Sequence, residues 1–386
     1  MSSSGTLTDM GGKAGGFSAM PGGPRWPHRL ALATACATFL LILAGGLVTN
    51  TGAGLAVPDW PTTFGHNMFL FPWSGMVGGI FYEHSHRLLG SIVGLLTLAL
   101  GAALWRWERR RWVRRLGAAA VAAVILQGVL GGLRVVLVQD NLAIVHGMLA
   151  QAFFALVAGV ALCTSPAWTR MPEGPLPGDG GRLGALSLSL AVLVYVQIFF
   201  GALLTHLGAR LDAHLATAGL LSLLAPLLAA RVWCRRAVVP HLVRPAILLC
   251  VLLAFQLLLG LGSFLARFTG VPLPLGQLSV LALPVAHRLN AGLLLVTGVV
   301  LASGALRATG WPRGRTGLVG AERPSLAQAA QKGPGARRRA MRRLRPTPGT
   351  PQGVRERANA SPAAAEAAGK DVGPFSAACQ PGCPRR

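Results

Sequence analysis

Eight apolar stretches, each near the roughly 20 residues that span a bilayer, follow one another along the chain. They cover about residues 30–50, 86–105, 116–136, 143–163, 184–204, 213–232, 245–266 and 284–306. Backbone in hydrocarbon must satisfy its hydrogen bonds within the structure it forms. Runs this long and continuous are therefore helices, because the strands of a membrane barrel would alternate apolar and polar residues. Composition agrees: 12% of the residues are charged, against about a quarter in a soluble domain. The predicted fold class is an all-α polytopic membrane protein with eight transmembrane helices.

Charge orients these helices. The net charge is +24, and the tail after Ala305 carries 16 Lys or Arg against 4 acids, or +12. Trp105 to Arg115 holds Arg106, Arg109, Arg110, Arg111, Arg114 and Arg115 against Glu108 alone. The turn after the sixth span holds Arg231, Arg235, Arg236 and Arg244. Cytoplasmic loops concentrate such residues, so both termini are expected in the cytoplasm. This topology explains the arginines without nucleic acid. Residues 1–27, Gly- and Ser-rich, read as a disordered lead without the apolar core of a signal peptide, and 308–386 as a disordered basic tail. Cys379 and Cys383 fall in that tail, on the reducing side, where a structural disulfide is not expected.

The spans repeat a plan. Gln127-x-x-x-Gly131, Gln197-x-x-x-Gly201 and Gln256-x-x-x-Gly260 each lie late in an odd-numbered span. Arg134, Arg210 and Arg267 follow them, and then His146, His214 and His287 stand at the heads of the next spans. His86 heads the second span, and His86-Arg87 is echoed by His287-Arg288. The unit is a helix pair used four times or a four-helix bundle used twice, as internal repeats in membrane folds lead one to expect. The expected organisation is an N-terminal bundle over 28–165, a cytoplasmic linker over 166–183 and a C-terminal bundle over 184–307, pseudo-symmetric and in tandem.

Ionisable residues at membrane depth are costly and mark function. Histidines facing inward from two helices can hold a haem iron through both axial positions, and bundle cores are a usual place for such groups. The expected pairs are His86 with His146 and His214 with His287. Arg87, Arg134, Arg210, Arg267 and Arg288 are candidates for meeting carboxylates of such a ligand or supporting its site. Zinc is the competing metal, but it wants a larger donor set than the second half offers. His66, His84 and His206 stand outside the pattern. His84 points about 160° around the helix from His86, at roughly 100° per residue. His28 and His241 fall on the cytoplasmic side. Glu83, one turn before His86, has no counterpart near Pro284. One pair with a carboxylate and one without suggest a reactive centre beside an electron-transfer or structural one. The rival reading is a di-haem b electron-transfer protein or quinone oxidoreductase, with Glu83 a mere helix-start acid.

Thr51-Gly52-Ala53-Gly54-Leu55, Asp59-Trp60-Pro61, Glu83-His84-Ser85-His86-Arg87, His146, His214 and His287-Arg288 together resemble the haem A synthase family over about residues 30–306. The resemblance implies oxidation of a ring methyl of haem O to a formyl group, giving haem A for terminal oxidases. It implies Glu83 as the catalytic carboxylate, His86 and His146 as ligands of the substrate haem, and His214 and His287 as ligands of a haem b cofactor. An inner (cytoplasmic) membrane location follows. The partners implied are haem O and the bilayer, with a haem O synthase, a membrane electron acceptor and further copies of the chain as candidates. Some relatives carry a cysteine pair in the first outer loop; this one, about Thr51 to Tyr82, has none.

Overall fold

A computed structural model describes residues 25–171 and 180–308. They lie in a compact unit, residues 1–312, while a second unit, 313–386, falls outside the described residues. Most of the expected lead, the middle of the linker (172–179), nearly all of the basic tail and Cys379 and Cys383 therefore fall outside them as well.

Eight long helices carry the fold: α1 (Trp26–Asn50), α2 (Gly78–Trp107), α3 (Arg111–Leu137), α4 (Asp140–Thr164), α6 (Gly180–Leu207), α7 (Leu211–Cys234), α8 (Pro240–Phe268) and α9 (Gln277–Arg307); a short α5 (Pro166–Arg170) follows α4. All eight are long and apolar enough to cross a membrane, and no strand occurs among the described residues. Trp26 and Pro27 form the first turn of α1 rather than the end of the lead. Proline suits that position because the first helical N–H groups have no partner in any case.

The helices outrun their apolar cores. With 30 and 31 residues, α2 and α9 are about 45 Å long, against about 30 Å of hydrocarbon. Their outer turns stand beyond the apolar layer, where polar side chains are tolerated. Helix α2 begins at Gly78, whose φ of +54° suits glycine, so the Glu83–Arg87 block lies inside the helix and not at its mouth. The four expected ligands are likewise 3 to 10 residues in from their helix starts (Leu211 to His214, Gln277 to His287).

Helix α1 packs on α2, α2 on α3, α3 on α4, and α4 returns to α1; α6, α7, α8 and α9 close a second ring in the same order. The rings meet through α1, α4, α6 and α9, an arrangement compatible with two tandem four-helix bundles. Small residues line this seam, as they do where membrane helices approach closely. A Cβ on Gly298 would lie 3.3 Å from Ala191, and one on Gly46 would lie 3.2 Å from Val285. Leu190, Leu228, Leu249 and Leu301 fill one core, and Leu100, Leu104, Val113 and Val160 another. Leu95, Leu223 and Leu258 point outward and are largely exposed, as lipid-facing residues are.

The α2–α3 turn is fastened by Glu108, which accepts from the Arg110 N–H at 2.9 Å and pairs with its guanidinium at 2.8 Å. Burial pushes the Glu108 carboxyl up, but the bonds from Arg110 outweigh it and the net shift is downward.

Candidate active site: two histidine pairs

The sequence repeat becomes a contact repeat. A Cβ on Gly45 of α1 would lie 3.1 Å from Cε1 of His86 on α2. The same holds for Gly131 and His146 at 3.2 Å, Gly201 and His214 at 3.2 Å, and Gly260 and His287 at 3.0 Å. Each imidazole thus lies edge-on against a bare stretch of the preceding long helix. The unit is a helix pair, glycine on the first member and histidine on the second, four times over. Sequence reading missed its first occurrence because Leu41 stands where the other three units have glutamine; the spacing to Gly45 is the only surviving signal.

The four rings converge in two pairs. His86 and His146 have ring centroids 6.4 Å apart, and His214 and His287 have theirs 6.3 Å apart. Two imidazoles sharing one metal, each nitrogen roughly 2 Å from it, have centroids roughly 6 Å apart. Nδ1 of every one of the four is buried and lacks a hydrogen-bond partner among the described residues. This nitrogen is turned to the glycine of the neighbouring helix, 3.4 to 3.6 Å from where a Cβ would stand, so Nε2 of each ring is the nitrogen left to meet an iron. No cluster of three or more His, Cys, Asp or Glu suited to a metal occurs among the described residues. That argues against zinc and suits an iron whose remaining positions a macrocycle fills. The residues present therefore fit haem.

The glutamines of the repeat divide by half. Gln127 donates to the His146 carbonyl at 2.8 Å. Gln256 Nε2 lies 3.2 Å from His287 Nε2, and its Oε1 accepts from Asn290 at 2.7 Å. Gln197 Nε2 lies 3.4 Å from His214 Nε2, and its Oε1 accepts from Thr217. Thr217 and Asn290 had no signal in the sequence, since each acts only across a helix boundary. Between the pairs, the Tyr195 hydroxyl on α6 donates to the Met148 carbonyl on α4 at 3.2 Å.

The carboxylate expected beside His86 is turned elsewhere. Glu83, buried with 4% exposure, accepts from the Val57 N–H at 3.0 Å and from Arg87 at 2.8 Å. Arg87 also donates to the carbonyls of Val57 at 2.9 Å, Asp59 at 2.7 Å and Thr62 at 3.1 Å. The pair folds the first outer loop, residues 51–77, onto α2. The loop reaches α3 too: a Cβ on Gly132 would fall 2.4 Å from the Trp60 ring, and one on Gly54 would fall 2.4 Å from the Arg134 guanidinium. His84, outside the pattern as expected, is buried with Nδ1 3.2 Å from the Thr63 hydroxyl and its ring near Phe71. Asp59 closes the loop tip, accepting from Thr62 Oγ1 and from the N–H groups of Phe64 at 2.8 Å and Gly65 at 2.9 Å. Burial pushes this carboxyl up, but those bonds more than offset it and hold it at about 2.

The other arginines differ in circumstance. Arg134 and Arg288 are half-buried, and neither has an acid partner among the described residues. Arg210 pairs with Asp212 at 3.3 Å on the surface, and Arg267 reaches Asn50 at 3.4 Å. His28 lies 2.9 Å from the Ala161 carbonyl, tying α1 to α4, and His66 is exposed.

Fold and site define a multi-pass helical membrane protein with two half-buried histidine pairs suited to haem. Residues 74–215, from before Glu83 to just past His214, match the COX15-CtaA family model, described as a cytochrome oxidase assembly protein. The chain is 32% identical over 189 residues to the haem A synthase of Shouchella clausii (strain KSM-K16), covering 47% of this chain and 60% of that one. It is 35% identical over 130 residues to that of Alkalihalophilus pseudofirmus, 32% and 42% of the two chains. With the haem A synthase of Rhodopseudomonas palustris (strain BisA53) it shares 31% over 211 residues, 44% and 54%. The chain spans about half the length of the curated relatives it matches. It is related to the haem A synthase family, the family its motifs resemble.

Proposed function

We propose that this chain is a haem A synthase, an oxidoreductase of a bacterial inner membrane that converts a ring methyl of haem O to the formyl group of haem A. The observation that carries the proposal is the duplicated histidine pair, with centroids 6.4 and 6.3 Å apart, one with Glu83 a helical turn before it on α2 and the other with Pro284 at that position. The names of the relatives support the same reading.

His86 and His146 hold the substrate haem O, and His214 and His287 hold a haem b cofactor. The cofactor iron supplies one-electron redox chemistry. The chain's own residues orient and exclude. The glycines let the imidazoles sit close, and Arg134 and Arg288 offer guanidinium groups to carboxylates. The loop pinned by Glu83 and Arg87 keeps water from the outer end of the N-terminal cleft. Converting the methyl to a formyl group with water as the oxygen source releases four protons and four electrons, the electrons leaving to the membrane electron acceptor, which calls for a proton acceptor beside the ring. Glu83 is that acceptor: Val57 and Arg87 take one site on each of its oxygens, and an ionised carboxylate has about four. A haem O synthase upstream, a membrane electron acceptor and cytoplasmic termini belong to this reading.

The bonds of Glu83 to Arg87 and Val57 also favour a second reading, a di-haem electron carrier in which this acid only folds the loop. One experiment separates them. The chain and its Glu83→Gln variant are expressed with a source of haem O, and the extracted haems are chromatographed. Haem A from the parent and none from the variant, with the C-terminal haem retained, is the expected result. No haem A from the parent overturns the synthase reading, and haem A at the normal rate from Glu83→Gln makes the carboxylate structural.

A further inference from the structure

The outer face of the first loop carries more exposed apolar surface than anything the histidine sites require. Leu70 and Trp73 are each 79% exposed and Phe69 66%; Phe64, Val77 and Phe81 are also exposed. Phe69, Leu70 and Trp73 lie on two short 3-10 turns, Met68–Leu70 and Trp73–Gly75, Phe81 lies on the first turn of α2, and Phe64 and Val77 lie in the loop beside them. From Trp60 to Tyr82 the sequence contains no Asp, Glu, Lys or Arg. In water such a patch is a liability. A loop that met anionic headgroups through charge would carry lysine or arginine, and this one carries neither.

Two observations identify what covers it. The turn Met68–Leu70 packs against α2, and α2 continues inward with an exposed apolar face of Ile92, Leu95 and Leu98. The patch is therefore the outer continuation of a lipid-facing surface. Its composition, rich in Phe, Trp and Met and free of charge, is that of the membrane interface, where tryptophan rings sit at headgroup depth.

We propose that residues 64–77 form an interfacial arm that lays Phe69, Leu70 and Trp73 into the outer leaflet. The stretch just before it, Val57 to Thr62, is clamped on α2 by Glu83 and Arg87. The buried ion pair (10% and 5% side-chain exposure) fixes that stretch, and the bilayer holds the arm. The arm binds lipid through apolar burial alone, so neutral and anionic bilayers serve equally.

The test uses the full chain with its native cysteines replaced. Single cysteines at Phe69, Leu70 and Trp73 carry a nitroxide, and the protein is reconstituted at low density in phosphatidylcholine vesicles. Asp212→Cys, an exposed position (its side chain is 74% exposed) in the first turn of α7, is the aqueous reference. At the three arm positions, collision with oxygen should exceed collision with a water-soluble nickel chelate. At position 212 the ratio should reverse. Vesicles with added phosphatidylserine should leave the arm ratios unchanged. Aqueous readings at all three positions overturn the proposal. So does shielding from both reagents, which would mean that a second copy of the chain covers the patch. Glu83→Gln, Arg87→Met and the parent, each labelled at position 73, ask whether the clamp sets the depth: a shift of the ratio toward water in both variants is expected, and no shift in either separates the arm from the clamp and overturns that part.

Discussion

Gly260→Ala is the smallest change that should disturb the C-terminal pair. The added methyl would sit 3.0 Å from His287 Cε1 and 3.4 Å from its Nδ1, closer than a methyl and an aromatic carbon settle. The imidazole must give by a few tenths of an ångström, and its other edge is held by Gln256 at 3.2 Å. Overpacking a filled site costs about 1–3 kcal/mol, and each 1.4 kcal/mol is about tenfold in affinity. Replacing a helical glycine by alanine returns about 1 kcal/mol to the fold, but that gain is the same with or without ligand. Retention of protohaem at the C-terminal pair should therefore weaken by roughly five- to a hundred-fold, while thermal stability of the haem-free chain changes little. Gly219→Ala on α7, with nothing within 4 Å of the new methyl, is the control and should retain haem as the parent does. Haem transfer from purified protein to excess apomyoglobin, followed by absorbance, measures both. Equal transfer rates for the two variants would show that the glycine does not seat a ligand and would refute the reasoning.

Three further outcomes are expected. His214→Ala and His287→Ala should each remove the absorption of the C-terminal haem while the protein stays in the membrane; unchanged spectra in both would exclude that pair as the cofactor site. Asp59 titrates at about 2, below the ordinary carboxylate value of 3.8, so its contribution to the loop is complete above about pH 4 and is lost only as pH falls through about 2. Amide exchange at Phe64 and Gly65 should accordingly show no carboxylate titration between pH 5 and 8, whereas Asp59→Asn should speed it; an unchanged rate in that variant would mean the carboxylate does not hold the turn. Reporter fusions should read cytoplasmic at Arg110 and external at Gly208, and the opposite signs would invert the membrane orientation of both histidine pairs.

What could be read from the chain follows from the range of the interactions. The eight helices are written in continuous apolar runs, and the last three glycine–histidine units in a Gln-x-x-x-Gly step followed by Arg and then His. Those are local patterns. The Glu83–Arg87 clamp is not: its partners Val57, Asp59 and Thr62 lie 25 to 30 residues upstream in a loop without periodicity. Helical spacing placed Glu83 and His86 on neighbouring positions of one face, which was sound, but side-chain direction was set by a loop that helix geometry does not describe. Leu41 concealed the first unit for a simpler reason, because an apolar residue in an apolar run carries no signal. Helix starts were placed late for the same reason that Glu83 was read as a mouth residue: helices project beyond the apolar layer, and their outer turns look like loop in the sequence.

The two halves share a histidine frame and differ in what lies over it. Between α1 and α2 the chain spends residues 51–77 on a folded loop, while between α6 and α7 the connection is Gly208 to Arg210. The long loop is held in part by the buried ion pair that α2 supplies, and removing one partner of such a pair typically costs about 3–5 kcal/mol. In the second half Arg288 follows its histidine as Arg87 does, but it meets neither acid nor loop among the described residues, so its guanidinium remains available to a carboxylate. Duplication thus accounts for two histidine pairs of nearly equal geometry, with ring centroids 6.4 and 6.3 Å apart. Reactivity confined to one cleft then has to come from the elements that the other lacks, Glu83 and the loop it holds. On that argument, grafting an acid near Pro284 would not make the C-terminal cleft a second reaction centre, because no loop is there to orient the acid or keep water away.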